Sequence, residues 1–147
     1  MKRRFAWLAA GLLLLSFAGS ALAQDRAWKE GPVTNVSSIR VVDGQFENYM
    51  DYLSKNWKPV MEEAKKAGYI LDYAVYTASP KTPQEPDLFL VVSYPNMAAL
   101  DGMFEKMQPI QQKVTNLNFR EADEASGKRG VMRQLLGEEM LRQIELK

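Results

Sequence analysis

The sequence contains neither cysteine nor histidine among its 147 residues. The absence of cysteine excludes disulfide bonds, thiol nucleophiles, iron–sulfur clusters and thiolate zinc sites. The absence of histidine excludes a serine–histidine catalytic pair and imidazole ligands to haem or to a metal. The acidic groups lack the spacing of a calcium loop. We therefore predict no metal site and no cofactor, and the sequence leaves open whether the protein is an enzyme.

Long apolar runs are missing except at the N-terminus. Residues 2–4 are basic, residues 5–18 are almost wholly apolar, and Ala21 and Ala23 are the small side chains that signal peptidase requires. This pattern predicts a bacterial Sec-type signal peptide, residues 1–23, cleaved before Gln24. The mature protein is then periplasmic or secreted, and it has no membrane association. The alternative is an uncleaved anchor, for which an apolar run of this length is at the short end.

An excess of charge of one sign is also missing. The chain has 19 basic and 18 acidic residues, and part of the basic set lies in the predicted signal. A nearly neutral chain with scattered basic residues has no electrostatic footprint for nucleic acid. The remaining length suits a flexible arm, residues 24–32, and one domain, residues 33–147. Because this exported domain has no disulfides, we expect oligomerisation to enlarge its core.

Apolar periodicity predicts the first elements of the domain. Val33–Val42 alternates as a strand. A helix follows, with apolar residues at three- and four-residue steps, and Gly68 ends it. Pro59 lies inside this helix, where it removes a backbone donor and clashes with the preceding turn. We therefore expect a kink near residues 56–58.

The second half of the domain begins with two strands, Tyr69–Ala78 and Asp87–Tyr94. Asn96 is a suitable cap for a second helix, which Pro109 bends or ends.

The C-terminal segment is predicted in three parts. Residues 120–129 form a charged turn or short helix, and residues 131–136 fit one helix face. Residues 140–147 alternate as a strand, although they could also prolong the helix.

The order β-α-β-β-α with a late strand is a split βαβ pattern, which predicts an α+β, ferredoxin-like βαββαβ fold with an antiparallel sheet. With Trp57-Lys58-Pro59 in the first helix and the turn from Gly68 into a strand, the chain resembles the dimeric α/β-barrel superfamily, including its uncharacterised exported members. The resemblance covers Val33 to Lys147. It implies a homodimer whose sheets face each other in a barrel, and a pocket between sheet and helices in each subunit. The helical segment before the last strand is an addition to the minimal pattern.

The resemblance extends to the cofactor-free monooxygenases of this superfamily. Asn56 and Trp57, with Tyr73 and Tyr76 on the next strand, are similar to the asparagine, tryptophan and tyrosine groups that some of those enzymes use. The alternative is structural: Trp57 packs in the core, and Asn56 helps to accommodate the helix kink expected at Pro59. Tyr73 and Tyr76 are three positions apart in the sequence. They therefore face opposite sides of the strand, and at most one of them lies in the pocket.

Other pocket candidates are Arg40, Tyr49 and Met107. An arginine on the first strand can hold a carboxylate or phenolate if it faces the pocket, whereas facing solvent it has no such role. Methionines on the helices suit an adaptable apolar pocket, and they also fill ordinary cores. We expect an exported homodimeric domain that binds a small apolar or aromatic molecule or has a structural or stress-related role. The alternative is a cofactor-free monooxygenase or isomerase acting on an aromatic compound.

Overall fold

The computed structural model describes residues 26–147, and the predicted signal peptide lies outside them. Four strands form one antiparallel sheet in the order β2-β3-β1-β4. The strands are β1 (Trp28–Val41), β2 (Asp72–Thr77), β3 (Leu88–Tyr94) and β4 (Arg133–Leu146). The helices are α1 (Phe46–Tyr52), α2 (Lys58–Lys66), α3 (Met103–Thr115) and α4 (Phe119–Lys128). Short 3₁₀ turns, Met97–Leu100 and Arg129–Val131, precede α3 and β4.

A π-helical turn, Leu53–Trp57, joins α1 to α2. It lies where the kink was predicted, and its cause is Pro59. Within the first turn of α2 the missing N–H of a proline costs nothing, because those donors have no partner inside the helix. The wider turn before it keeps the chain helical without forcing the proline ring against the preceding carbonyl. The two helices therefore remain one continuous, distorted rod.

The hydrophobic core lies between this rod and one face of the sheet. Ile39, Val41 and Leu88 come from the strands, and Tyr49 and Leu53 come from the helical side. Alternation along the strands puts the intervening residues on the opposite face, which no helix of residues 26–147 covers. On that open face Tyr76 is 58% exposed and Leu141 is 49% exposed.

The sequence prediction was wrong at the two ends of the domain. The arm, residues 24–32, was expected to be flexible, but β1 begins at Trp28, which pairs with Leu146 of β4. Residues 131–136 were expected to be helical, but β4 begins at Arg133. Both errors have one cause, because the long β1–β4 pairing supplies backbone hydrogen bonds that local periodicity cannot reveal. The strand expected in residues 140–147 is confirmed.

The β1–β4 pairing contains a bulge that explains the misleading helical pattern. Ser38 pairs with Gly137 and Ile39 pairs with Leu135, which leaves Leu136 as an extra residue. The extra residue interrupts the alternation of apolar and polar side chains in β4. Leu135 and Leu136 are therefore consecutive apolar residues, a pattern that also fits one face of a helix.

Asn96 caps the 3₁₀ turn, where its side chain accepts a hydrogen bond from the Ala99 N–H at 3.0 Å. The helix itself, α3, begins later, at Met103, and it continues through Pro109.

Candidate functional site

A cavity of about 300 Å³ lies between the π-helical turn and the α3–α4 hairpin. It lies on the helical side of the sheet. Its lining is mostly apolar, with a few polar and basic side chains, and we call it the helical cavity. The residues that line it are Tyr52, Asn56, Gln111, Thr115, Leu117, Ala122, Ala125, Lys128, Arg129 and Met132.

The π-helical turn positions the polar groups on one wall of the helical cavity. The Asn56 side-chain amide donates to the Tyr52 carbonyl oxygen at 3.3 Å. Tyr52 and Asn56 are four residues apart, so they lie on one face of the distorted helix. The structural role suggested for Asn56 and a place on a pocket wall are thus compatible in this geometry.

The opposite wall is held by the junction between α3 and α4. The Thr115 hydroxyl donates to the Gln111 carbonyl oxygen at 2.7 Å and accepts from the Leu117 N–H at 3.3 Å. Asn118 and Glu121 then form a capping box that starts α4, with hydrogen bonds of 2.8 and 3.1 Å. These bonds satisfy the free backbone groups at both helix ends and fix the angle of the hairpin.

Two basic residues, Lys128 and Arg129, are the only charged side chains of residues 26–147 that line the helical cavity. The Arg129 guanidinium lies 4.6 Å from the centre of the Tyr52 ring. At this distance the positive charge is attracted to the face of the ring. The part of the lining formed by Lys128 and Arg129 is therefore positively charged.

Tyr49 lies in the core beside Tyr52 and is only 1% exposed. The two rings stack with centroids 6.1 Å apart. Burial raises the pKa of the Tyr49 hydroxyl, and the nearby Arg133 partly opposes this rise. A tyrosine that is held neutral and shielded from solvent supports the cavity rather than acting as its base.

Trp57 and Tyr73 meet in a second, smaller cleft of about 150 Å³, on the other side of the π-helical turn. Their rings pack edge to face with centroids 5.4 Å apart. The Tyr73 hydroxyl donates a hydrogen bond to Glu62. That bond raises the pKa of Tyr73 to about 12, because it stabilises the protonated hydroxyl. Tyr73 is therefore a weak candidate for a base at neutral pH.

Arg40 and Tyr76 lie on the open face of the sheet. A guanidinium nitrogen of Arg40 donates to the Glu85 carbonyl oxygen at 3.0 Å, which ties β1 to the loop before β3. Alternation places Tyr76 and Tyr73 on opposite faces of β2. Neither Arg40 nor Tyr76 lines the helical cavity, and neither does Met107, which is half-buried on α3.

The residues proposed from the sequence are therefore divided among several places. Asn56 lines the helical cavity, Tyr49 supports it, and Trp57 with Tyr73 forms the smaller cleft. Sequence reasoning did not identify most of the cavity lining, including Tyr52, Lys128 and Arg129. A usable signal was present in Asn118-x-x-Glu121, a capping-box pattern that places the start of α4 and hence its inner face.

Residues 26–147 contain no helix that is both long and apolar enough to cross a membrane. The same residues hold no group of three or more acidic side chains close enough together to bind a metal ion.

No protein-family model matches the sequence, and no curated protein is significantly similar to it. Among solved structures, HapK from Hahella chejuensis is similar, with a TM-score of 0.51 and 15% identity over 76% of this chain and 91% of that chain. Protein SO0527 from Shewanella oneidensis has a TM-score of 0.46 and 12% identity, over 80% of this chain and 96% of that one. A dimeric ferredoxin-like protein from an uncultured marine organism has a TM-score of 0.48 and 9% identity, over 81% of this chain and 90% of that one.

The strand order and the helices on one face of the sheet match the predicted βαββαβ arrangement. The likeness to HapK supports the same fold independently. The chain therefore has a ferredoxin-like α+β fold.

Proposed function

We propose that this protein is an exported, homodimeric binding domain that holds a small apolar or aromatic molecule in the helical cavity. The observation that carries the proposal is the cavity itself, an apolar space with a few convergent polar groups, which is the usual make-up of a small-molecule site. Its volume of about 300 Å³ is at the lower end for such sites. The ligand is correspondingly small.

The binding proposal is tested by native mass spectrometry of the mature protein taken from its own periplasm. We expect a species that carries the additional mass of a small molecule. The variant Ala125→Leu fills the cavity from α4 and should lose that mass. Ala67→Leu, at the exposed end of α2, is a matched control that should retain it. A wild-type protein without additional mass would favour the structural role instead.

Export is supported by the pattern of residues 1–23. Sequencing the N-terminus of the protein purified from its natural host tests this part. An N-terminal Gln24 indicates cleavage by signal peptidase, and an N-terminal Met1 contradicts it.

The homodimer is supported by the open face of the sheet, where apolar side chains of three neighbouring strands lie together. Val36, Val91 and Ala74 are register partners across β1, β3 and β2. Tyr76 and Leu141 extend the same face and are exposed in the single subunit. An apolar patch of this kind is typical of a contact surface. A second copy packed on it would complete the barrel that the superfamily resemblance implies.

A catalytic alternative, cofactor-free oxygenation or isomerisation of an aromatic compound, is favoured by one observation. Asn56 and Tyr52 face the same cavity, where together they would position a phenolic substrate. Oxygen uptake with a dihydroxynaphthalene tests it. Uptake above the spontaneous rate that Asn56→Ala abolishes would support catalysis, and a rate unchanged by the protein would contradict it for this substrate class.

A further inference from the structure

We propose that the ligand of the helical cavity is an organic anion, an aromatic carboxylate whose carboxylate group is bound by Arg129. The inference rests on the proposed binding function and names the class of its ligand. It is carried by the charge of the cavity lining and by the position of one guanidinium.

The first argument is the absence of an anionic partner for the positive charge of the cavity lining. Within residues 26–147, neither Lys128 nor Arg129 forms an ion pair with a carboxylate. Other basic residues of the same part of the chain do so at 2.5 to 3.0 Å, namely Lys29, Lys55, Lys65, Lys66, Lys113 and Arg142. A half-buried guanidinium without an anion retains all of its capacity to bind one.

The second argument is the packing of Arg129 on Tyr52. The guanidinium carbon of Arg129 lies over the Tyr52 ring, 4.6 Å from its centroid. A cation–π contact is not a hydrogen bond, so it does not use the N–H donors of the guanidinium. Two of them match the two oxygens of a carboxylate, which gives a bidentate and therefore directional contact. Tyr52 itself is held by its stacking on the buried Tyr49, so the guanidinium rests on a fixed support.

The third argument is the shape of the remaining wall. Leu117, Ala122, Ala125 and Met132 provide the apolar part of the same lining. Two alanines on the inner face of α4 leave the space that larger side chains would fill. A flat ring system fits against such a wall, and a space of this volume suits one or two rings. The Asn56 amide, on the π-helical turn, adds one polar group to the cavity lining.

The competing explanation is that both basic residues serve the C-terminal end of α4. Cations near the last turn of a helix interact favourably with its dipole. This explanation predicts a loss of stability when the charge is removed, but no change in the affinity for anions. The two explanations therefore differ in a measurable quantity.

The experiment is a titration of the ¹⁵N-labelled mature protein with 1-naphthoate and with 1-naphthamide, followed by NMR. The two probes share ring and size and differ in charge. We expect 1-naphthoate to bind more tightly by about tenfold or more, because hydrogen bonds to a charged group are the stronger kind. Its affinity should fall as salt is added, whereas that of the amide should not. The amides of Asn56 and Met132 should report binding.

Three variants complete the design. Arg129→Gln should abolish the preference for the carboxylate, so that 1-naphthoate binds no more tightly than 1-naphthamide to this variant. Arg129→Lys keeps the charge but loses the two-pronged contact, and it should retain only part of the preference. Arg120→Gln removes an exposed arginine from the first turn of the same helix and should leave the preference intact. Dispersed amide spectra of each variant establish that it is folded.

The outcomes separate this inference from the proposed function. Equal affinity for the two probes, or a preference that survives Arg129→Gln, would overturn the anion assignment and leave the binding cavity in place. If neither probe shifts the amides that line the cavity, both proposals fail for aromatic ligands. A preference that only Arg129 variants remove would support the assignment.

Discussion

Pro59 and Asn56 show how one residue determines the position of another. The proline has no N–H to donate, and the chain accommodates this with a wide helical turn just before α2. That turn brings Asn56 onto the wall of the helical cavity, with its amide on the Tyr52 carbonyl oxygen. The sequence correctly predicted a helix distortion just before Pro59, but it could not indicate on which side of the rod Asn56 and Trp57 would lie.

Leu88 is the residue whose truncation should affect stability most directly. It is 0% exposed and lies in the core between the sheet and α1. Leu88→Ala should lower the free energy of unfolding by about 2–5 kcal/mol, through lost burial and the cavity left behind. Urea denaturation followed by tryptophan fluorescence measures the change. Leu146→Ala is the control, since Leu146 is 82% exposed and its truncation should have little effect.

Tyr73 should be slow to ionise as the pH rises, because its pKa is raised to about 12 by the hydrogen bond to Glu62. Because the pKa of Tyr73 is higher in the folded protein than in the unfolded chain, the protonated hydroxyl favours the folded state. The stability that this bond contributes is fully present below the ordinary tyrosine pKa and is lost as the pH rises through about 12. Burial also raises the pKa of Tyr49 and of Tyr94, so absorbance titration of phenolate should show several late ionisations, one of which disappears in Tyr73→Phe.

Glu62→Ala supplies the control for this assignment. It removes the acceptor, so the late ionisation should move to lower pH while the number of titrating tyrosines stays the same. If the ionisation that Tyr73→Phe removes stays equally late in Glu62→Ala, then burial, rather than this hydrogen bond, raises the pKa of Tyr73.

Among the elements, α4 depends most clearly on a local signal. Its capping box joins Asn118 and Glu121 in two reciprocal hydrogen bonds. Asn118→Ala should cost about 1 kcal/mol of stability and loosen the first turn of α4. Hydrogen exchange should then be faster at the α4 amides than in the wild type, with β1 and β3 unaffected. Asn96→Ala is the matched comparison, because it removes a similar cap from a short 3₁₀ turn and should leave α4 unchanged.

The other elements show which parts of the fold are readable in the sequence. β2 and β3 were recognised because their apolar and aromatic residues lie between clear turn signals. β4 was recognised only at its end, because the bulge at Leu136 interrupts its alternation. The N-terminal part of β1 was missed because Lys29, Glu30 and Gly31 look like a polar linker, and only their pairing with β4 makes them a strand.

The helical cavity was harder to predict than the fold. It is built by the α3–α4 hairpin, whose inner face depends on where each helix begins and on how the chain turns between them. The left-handed conformation of Asn116, with φ of 57°, sets that turn. Residue type alone favoured Trp57 and Tyr73, because large aromatic residues are common in pockets. The structure places Trp57 and Tyr73 in a different cleft from Asn56.

At the scale of the whole molecule, the open sheet face predicts how the subunits associate. Val91→Lys puts a charge at the centre of that face, where Val36 and Ala74 are its neighbours. We expect the variant to be monomeric by light scattering, because burying an unpaired charge in an apolar contact is costly. Glu47→Lys, on exposed α1, should remain dimeric like the wild type. A wild-type protein that is monomeric at micromolar concentration would contradict the homodimer.

The pairing of the two ends of the described chain has a consequence for the order in which the protein folds. β1 is formed from the first described residues and lies between β3 and β4, and the Lys147 N–H donates to the Ala27 carbonyl oxygen at 2.9 Å. While the polypeptide is being synthesised, the edge of β1 that pairs with β4 therefore stays unpaired until Arg133–Leu146 has been made. Contacts so distant along the chain form slowly. The pairing of β1 with β4 is therefore among the last parts of the sheet to form.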